Sequence, residues 1–396
     1  MTKQKILIVD DEPFNVDYIE QELEDQGYET ISAVNGQEAL DKVTSEIPDL
    51  ILLDIMMPVM DGFEVLSRLK ENPGTRGIPV IVISASNDLK SVARGIHLGA
   101  EDYLPKPFEP ILLSARITSS LEKKRLQDLQ KLYLKSLERE LDIGREIQKG
   151  FLPPALPGVK GWEIAAYFNA AREVAGDYYD AFLQPDGNLT CVVGDVCGKG
   201  VGAALYMTLF RSLIRATSII DCFYHSKGDQ RHNDSERLQQ VISFTNNYVA
   251  ETHGHTSMFS TVFIFIIDFK NSKLTYINGG NEPALLLGNE GGITELWPTG
   301  PIVGIIPNAE FLAKEIVINE NDLLLAYTDG VTDALNPNEA SFGRERLAGL
   351  LKENQTTCER LVKTIEQRLI QFIGDAVQFD DITVLAIKKQ TSEQAL

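Results

Sequence analysis

Three short aliphatic runs punctuate the first third of the chain: Ile6-Leu7-Ile8-Val9, Leu50-Ile51-Leu52-Leu53 and Val80-Ile81-Val82-Ile83. No polar residue interrupts them, the pattern of parallel strands buried on both faces. Between them apolar positions recur at helical spacing, at Val16, Ile19 and Leu23 and again at Phe63, Val65, Leu66 and Leu69. Strand–helix alternation predicts a doubly wound α/β domain over residues 1–120.

From Leu112 to Phe151 the pattern changes. The stretch has no proline, and Ile117, Leu121, Leu126, Leu129, Tyr133, Leu137 and Leu141 recur in steps of three to five. That predicts a long amphipathic helix with a linker over 121–150. At about 1.5 Å per residue it is on the order of 50 Å long. Its heptads are imperfect, which leaves two readings: a coiled-coil stem pairing two chains, or a helix lying on its own domains. Leu152-Pro153-Pro154-Ala155-Leu156-Pro157-Gly158 ends the helix and opens a further domain over 151–390, with 391–396 as a tail.

That last domain is strand-rich. Thr190–Gly194, Thr261–Asp268, Leu274–Asn278, Ala284–Leu287, Leu323–Tyr327 and Ile382–Ile387 read as strands, and 202–219, 235–250 and 359–372 as helices. His225–Asp234 holds polar residues and reads as a loop. Strands mixed with helix pairs predict an α+β sandwich, so the chain is multidomain.

Charge narrows the function classes. The net charge is −20, with 21 acidic against 10 basic residues in 1–120 and 30 against 19 in 151–396. Such a chain is not expected to bind nucleic acid directly. The four cysteines form no CxxC pair, the start of the chain has no signal-peptide pattern, and no apolar run approaches a membrane span. A cytoplasmic location away from membranes is the expectation.

Candidate chemistry lies where the strands end. Asp10 and Asp11 follow the first run, Asp54 the second and Ser84 the third, while Lys106 follows Tyr103-Leu104-Pro105. Open α/β sheets place their sites at these carboxyl ends. Converging carboxylates need a cation, and hard oxygen ligands suit Mg²⁺. One of them could then attack a phosphoryl donor to give an aspartyl-phosphate. Taken singly, such an Asp is a turn or a helix cap.

As a set, Asp10-Asp11-Glu12-Pro13, Leu53-Asp54 through Asp61-Gly62, Ile83-Ser84-Ala85 and Gly99 through Lys106-Pro107-Phe108 resemble the receiver domains of two-component response regulators. The resemblance implies a flavodoxin-like fold and a sensor histidine kinase as partner. It also implies Asp54 as phosphoacceptor, with Asp10, Asp11 and Asp54 around Mg²⁺. Ser84 and Lys106 would bind the phosphoryl group, Tyr103 would be the switch aromatic, and Lys106-Pro107 a cis bond.

Four further acid motifs lie downstream: Ala175-Gly176-Asp177-Tyr178-Tyr179-Asp180, Gly194-Asp195-Val196-Cys197-Gly198-Lys199-Gly200, Thr328-Asp329-Gly330-Val331-Thr332-Asp333 and Asp380-Asp381-Ile382-Thr383. Dispersed acids brought together by folding can build a two-metal oxygen site, and no His/Cys spacing offers zinc ligands. In this order, with Ile147-Gln148, Phe259-Ser260-Thr261 and Gly279 through Ala284, they resemble the metal-dependent PPM (phosphatase 2C-like) protein phosphatases of the bacterial stress-response and sporulation branch.

That resemblance implies a protein serine/threonine phosphatase with two Mg²⁺ or Mn²⁺ ions. Asp195 would be shared by both metals with the Val196 carbonyl as an added ligand, Asp329 and Asp380 would bind the second metal, and Asp177 would support the first. Asp180 and Asp381 carry no assigned role. The implied substrate is a phosphorylated anti-sigma-factor antagonist, and the implied assembly is a homodimer through the helix. Two departures stand out: Ala175 replaces a common Gly, and Asn281 occupies a position that is often His. A silent scaffold is the rival reading. A nucleotide cyclase, suggested by a faint likeness to a Gly-Gly-Asp-Glu-Phe signature, leaves the later acid motifs unexplained.

Overall fold

The computed structural model describes residues 3–85, 89–225, 233–353 and 357–391. The chain divides into two compact units, Met1–Glu138 and Arg139–Leu396.

The first unit alternates β1 (Lys5–Val9), α1 (Pro13–Asp25), β2 (Glu29–Ala33), α2 (Gly36–Glu46), β3 (Leu50–Asp54), α3 (Gly62–Glu71), β4 (Val80–Ala85), α4 (Leu89–His97) and β5 (Asp102–Lys106). Then α5 (Pro110–Lys149) begins in this unit, and its last turns belong to the second. The five strands are parallel in the order β2-β1-β3-β4-β5. The uninterrupted aliphatic runs are explained by two cores. Leu7, Val9, Ile51, Leu53, Val80 and Val82 pack with α2 and α3 residues, while Ile6, Ile8, Leu50, Leu52, Ile81 and Ile83 pack with α1 and the start of α5. Leu113, Ile117 and Leu121 of α5 are buried in that second core. Further along, Leu126, Leu129, Tyr133 and Leu137 are exposed.

The second unit runs β6 (Trp162–Asn169), β7 (Tyr178–Leu183), β8 (Leu189–Val196), α6 (Val201–His225), α7 (Asp234–His253), β9 (Ser260–Asp268), β10 (Lys273–Gly279), β11 (Ala284–Leu287), β12 (Ile293–Leu296), β13 (Lys314–Val317), β14 (Leu323–Tyr327), α8 (Asp329–Thr332), α9 (Arg344–Glu353), α10 (Cys358–Ile373) and β15 (Ile382–Lys389). Two antiparallel five-stranded sheets form, β13-β10-β9-β8-β7 and β12-β11-β14-β15-β6. Cys191, Val193, Phe263 and Phe265 from one meet Leu324, Ala326, Leu385 and Ile387 from the other in the central core. Helices α6 and α7 cover the outer face of the first sheet, and α9 and α10 that of the second. The result is a four-layer α+β sandwich.

Residues 226–232, most of the loop expected over 225–234, lie outside the described residues, between the end of α6 and the start of α7. Val201–Ile220 of α6 is long and apolar enough to cross a membrane by length and composition only, a test that the core helix of a globular domain also passes. Arg211 and Arg215 interrupt its apolar run, and Ala203, Met207, Phe210 and Ile214 form a buried face against the first sheet.

Candidate functional site

The first unit gathers its acids where β1 and β3 lie side by side, the switch point of the strand order. Carboxylate oxygens of Asp10, Asp11 and Asp54 lie within 4.8 Å of one another. Lys106, at the end of β5, donates to Asp10 Oδ2 at 2.9 Å and to Asp54 Oδ2 at 2.6 Å. Asn15 Nδ2 donates to both oxygens of Asp10 at 3.1 Å, and the Glu12 N–H to Oδ1 at 3.0 Å. Burial pushes the Asp54 carboxyl up, against the pull of Lys106. Burial works against the Lys106 ammonium too, but its bonds to Asp54 and Asp10 outweigh that and raise its pKa. Oxygen donors crowded in this way fit a hard divalent cation such as Mg²⁺.

The Ser84 hydroxyl is buried near the end of β4 and has no hydrogen-bond partner among the described residues. Tyr103 is half-buried on β5, its ring centroid 5.7 Å from the Arg116 guanidinium, which pairs with Asp102 at 2.6 Å. The Lys106-Pro107 bond is cis.

The second cluster draws on both sheets of its unit. Asp177 immediately precedes β7, and Asp195 lies near the end of β8 in the first sheet. Asp329 follows β14, and Asp380 and Asp381 precede β15 in the second. Asp177 is buried, and its Oδ2 accepts from the Thr328 and Thr383 hydroxyls, both at 2.6 Å. Burial, reinforced by Asp195 and Asp381, pushes its carboxyl well up. Burial with the charges of Asp329 and Asp380 carries Asp195 up to about 7, and burial with Asp380 and Asp333 carries Asp329 up to about 6. Such mutual repulsion is what a bound divalent cation relieves, and the all-oxygen donor set fits Mg²⁺ or Mn²⁺. Val196 is buried beside this cluster, its N–H donating to the Gly176 carbonyl at 3.3 Å.

The two acids without an assigned role separate cleanly. Asp381 accepts the Ala171 and Gly176 N–H groups at 2.7 Å, so it braces the loop that carries Asp177. Asp180 points the other way, into an ion pair with Arg211 at 2.9 Å and Arg215 at 3.0 Å on α6. Asn281 is buried, donating to the Tyr327 carbonyl at 3.0 Å and accepting from Thr261, so it supports the strand end before Asp329.

Sequence reasoning missed several supports. Gln148, in the last turn of α5, donates to the Ala175 carbonyl at 2.7 Å and accepts its N–H at 2.9 Å. Thr328 and Thr383 stand inside the motifs, but their convergence on one carboxylate depends on contacts 151 and 206 residues apart. Gly330 permits a close approach: a Cβ there would lie 1.8 Å from the Asp381 carbonyl oxygen.

Comparison with known proteins agrees with this division. Residues 6–118 match the response regulator receiver domain, and 185–390 match stage II sporulation protein E (SpoIIE). The chain is 43% identical over 260 residues to protein IcfG of Synechocystis sp., covering 63% of this chain and 41% of that protein. It is 44% identical over 115 residues to response regulator PleD of Caulobacter vibrioides, covering 29% of this chain and 25% of that one. The chain thus spans less than half the length of either relative. The SiaA-PP2C domain of Pseudomonas aeruginosa shares the fold of the second unit, with a TM-score of 0.54 at 19% identity over 65% of this chain and 98% of that domain. The chain belongs to the SpoIIE family through its second unit, and its first unit matches the receiver domain.

Proposed function

We propose that the chain is a response regulator in which Asp54 accepts a phosphoryl group from a cognate sensor histidine kinase and thereby sets the rate of a protein serine/threonine phosphatase. The observation that carries the phosphatase half is the cluster of Asp177, Asp195, Asp329 and Asp380, whose burial and proximity lift Asp195 to about 7 and Asp329 to about 6. A silent scaffold would have no use for such charge crowding.

In the receiver, taken as 1–120, Asp10, Asp11 and Asp54 would hold Mg²⁺. An Asp54 oxygen attacks the phosphorus of the kinase's phosphohistidine as the P–N bond breaks and its electron pair leaves with the imidazole; the Lys106 ammonium balances the charge on the acyl phosphate, and the Ser84 hydroxyl donates to a phosphoryl oxygen. Tyr103 moves with Ser84 as the domain changes state.

In the phosphatase, taken as 151–390, Asp177, Asp195, the Val196 carbonyl, Asp329 and Asp380 would hold two Mg²⁺ or Mn²⁺ ions. Bound there, the metals supply a water of lowered pKa and neutralise phosphoryl oxygens. The Thr328 and Thr383 hydroxyls fix the Asp177 carboxylate, and Asp381 fixes the loop beneath it.

The substrate we infer is a phosphorylated anti-sigma-factor antagonist in the cytoplasm. The exposed stripe Leu126, Leu129, Tyr133 and Leu137 supports a homodimer through the 121–150 linker. The test is turnover of a phosphoserine peptide with Mn²⁺, beside Asp195→Ala, measured with and without a phosphoryl mimic on Asp54. Equal rates with and without the mimic would sink the coupling, and no metal-dependent turnover would sink the enzyme.

A further inference from the structure

Among the described residues, the cation that meets the second acid cluster is Lys199. It lies between Gly198 and Gly200, whose φ angles of +87° and +77° are open to glycine and strained for other residues. The turn they allow carries Lys199 from the end of the first sheet to the acid pair that precedes β15. Its Nζ is 3.1 Å from Asp380 Oδ2, donates to the Phe379 carbonyl, and lies 3.7 Å from the centroid of the Phe379 ring. The Lys199 side chain keeps 27% exposure and Phe379 62%, so the pair lies at the surface of the unit.

A lysine against a carboxylate that is to hold a divalent metal works against that metal. The two cations repel and compete for one oxygen. An anion that touches both reverses the sign. Once ionised, Asp177, Asp195, Asp329, Asp380 and Asp381, with Asp333 beside Asp329, carry more negative charge than two divalent ions would offset. A phosphate monoester dianion would meet that residual charge as repulsion, and Lys199 offsets part of it. An ammonium also has three donors. Among the described residues Asp380 and the Phe379 carbonyl use two, leaving one for a ligand.

Building on the phosphatase reading above, we propose that Lys199 binds the substrate directly, its free N–H donating to a non-bridging phosphoryl oxygen while the Phe379 ring holds the ammonium in place. It is a recognition residue for the phosphate group rather than a support for the metals.

Calorimetric titration of inorganic phosphate into the Mn²⁺-loaded full-length protein, beside Lys199→Met and Lys199→Arg, tests this without any turnover. Lys199→Met is expected to weaken phosphate binding about tenfold, the loss of one charge-assisted hydrogen bond. It should raise KM for a phosphopeptide by the same factor and keep kcat within about threefold. Lys199→Arg should recover most of both, and Mn²⁺ affinity, followed by electron paramagnetic resonance of the free ion, should hold or tighten. Equal phosphate affinity in wild type and Lys199→Met overturns the proposal. So does weaker Mn²⁺ binding with phosphate affinity unchanged, which would make Lys199 a positioning residue for Asp380. A wild type that binds no phosphate overturns it as well. Lys199-dependent phosphate binding without hydrolysis leaves the proposal standing and removes the phosphatase reading instead.

Discussion

The two acid sites use one device, carboxylates at strand ends, and differ in how their charge is balanced. In the first unit Lys106 touches both Asp10 and Asp54, and three acids converge within 4.8 Å on one sheet. In the second unit, no three acids among the described residues converge so tightly. Asp177 leans on two hydroxyls, and Asp195 and Asp329 are left to repel each other through buried surroundings. The first site is set by neighbouring strands, and its lysine touches two of its three acids, whereas Lys199 touches Asp380 alone at the edge of the second. The second is set by the stacking of two sheets, so small changes in layer packing reach its carboxylates.

Four measurements press on that contrast. Asp195→Ala removes the most centrally placed acid and is expected to lower metal-dependent turnover about a thousandfold, with circular dichroism unchanged; a loss under tenfold would mean that the cluster is not the working site. Gly330→Ala forces a Cβ into the Asp381 backbone and is expected to cost about 3 kcal/mol in denaturant unfolding. A neutral result would show that the sheets give way more readily than the layered core suggests. Thr383→Val strips one hydroxyl from Asp177 and should weaken Mn²⁺ binding about thirtyfold, as loss of a ligand's outer partner does; calorimetry with the metal reads it. Gln148→Ala is expected to lower turnover about tenfold through the loop that carries Asp177, while phosphoryl uptake at Asp54 stays at the wild-type rate.

The contrast also explains what was legible in the sequence. β1, β3 and β4 announce themselves because both faces are buried, so each carries four consecutive aliphatic positions. β2, with the sequence ETISA, and β12 and β13, with ITEL and KEIV, lie at sheet edges and keep polar exposed positions that blur the period. β6 and β7 lie at the sheet edges opposite β12 and β13, and in β7, YYDAFL, an acid of the motif stands inside the strand. α9, RERLAGLLKE, was missed because three leucines among charges make a thin stripe. The acids themselves were readable as a set, since the turns that present them leave local signatures. Their partners were not. Asn15 on Asp10, the two threonines on Asp177 and Arg211 on Asp180 are ordinary residues until tertiary contact gives them a role.

The two-way bond between Gln148 and Ala175 fixes more than a distance. One primary amide matches both backbone groups of one residue, donor to the Ala175 carbonyl and acceptor to the Ala175 N–H. In an α-helix each residue step turns the side chain by about 100°, so a slip of one position would offer Ile147 or Lys149 instead. Neither can both donate and accept. The end of α5 therefore has a single rotational register in which the Ala175–Asp177 loop is fully satisfied, and any twist along that helix is scored at the loop as two hydrogen bonds kept or two lost.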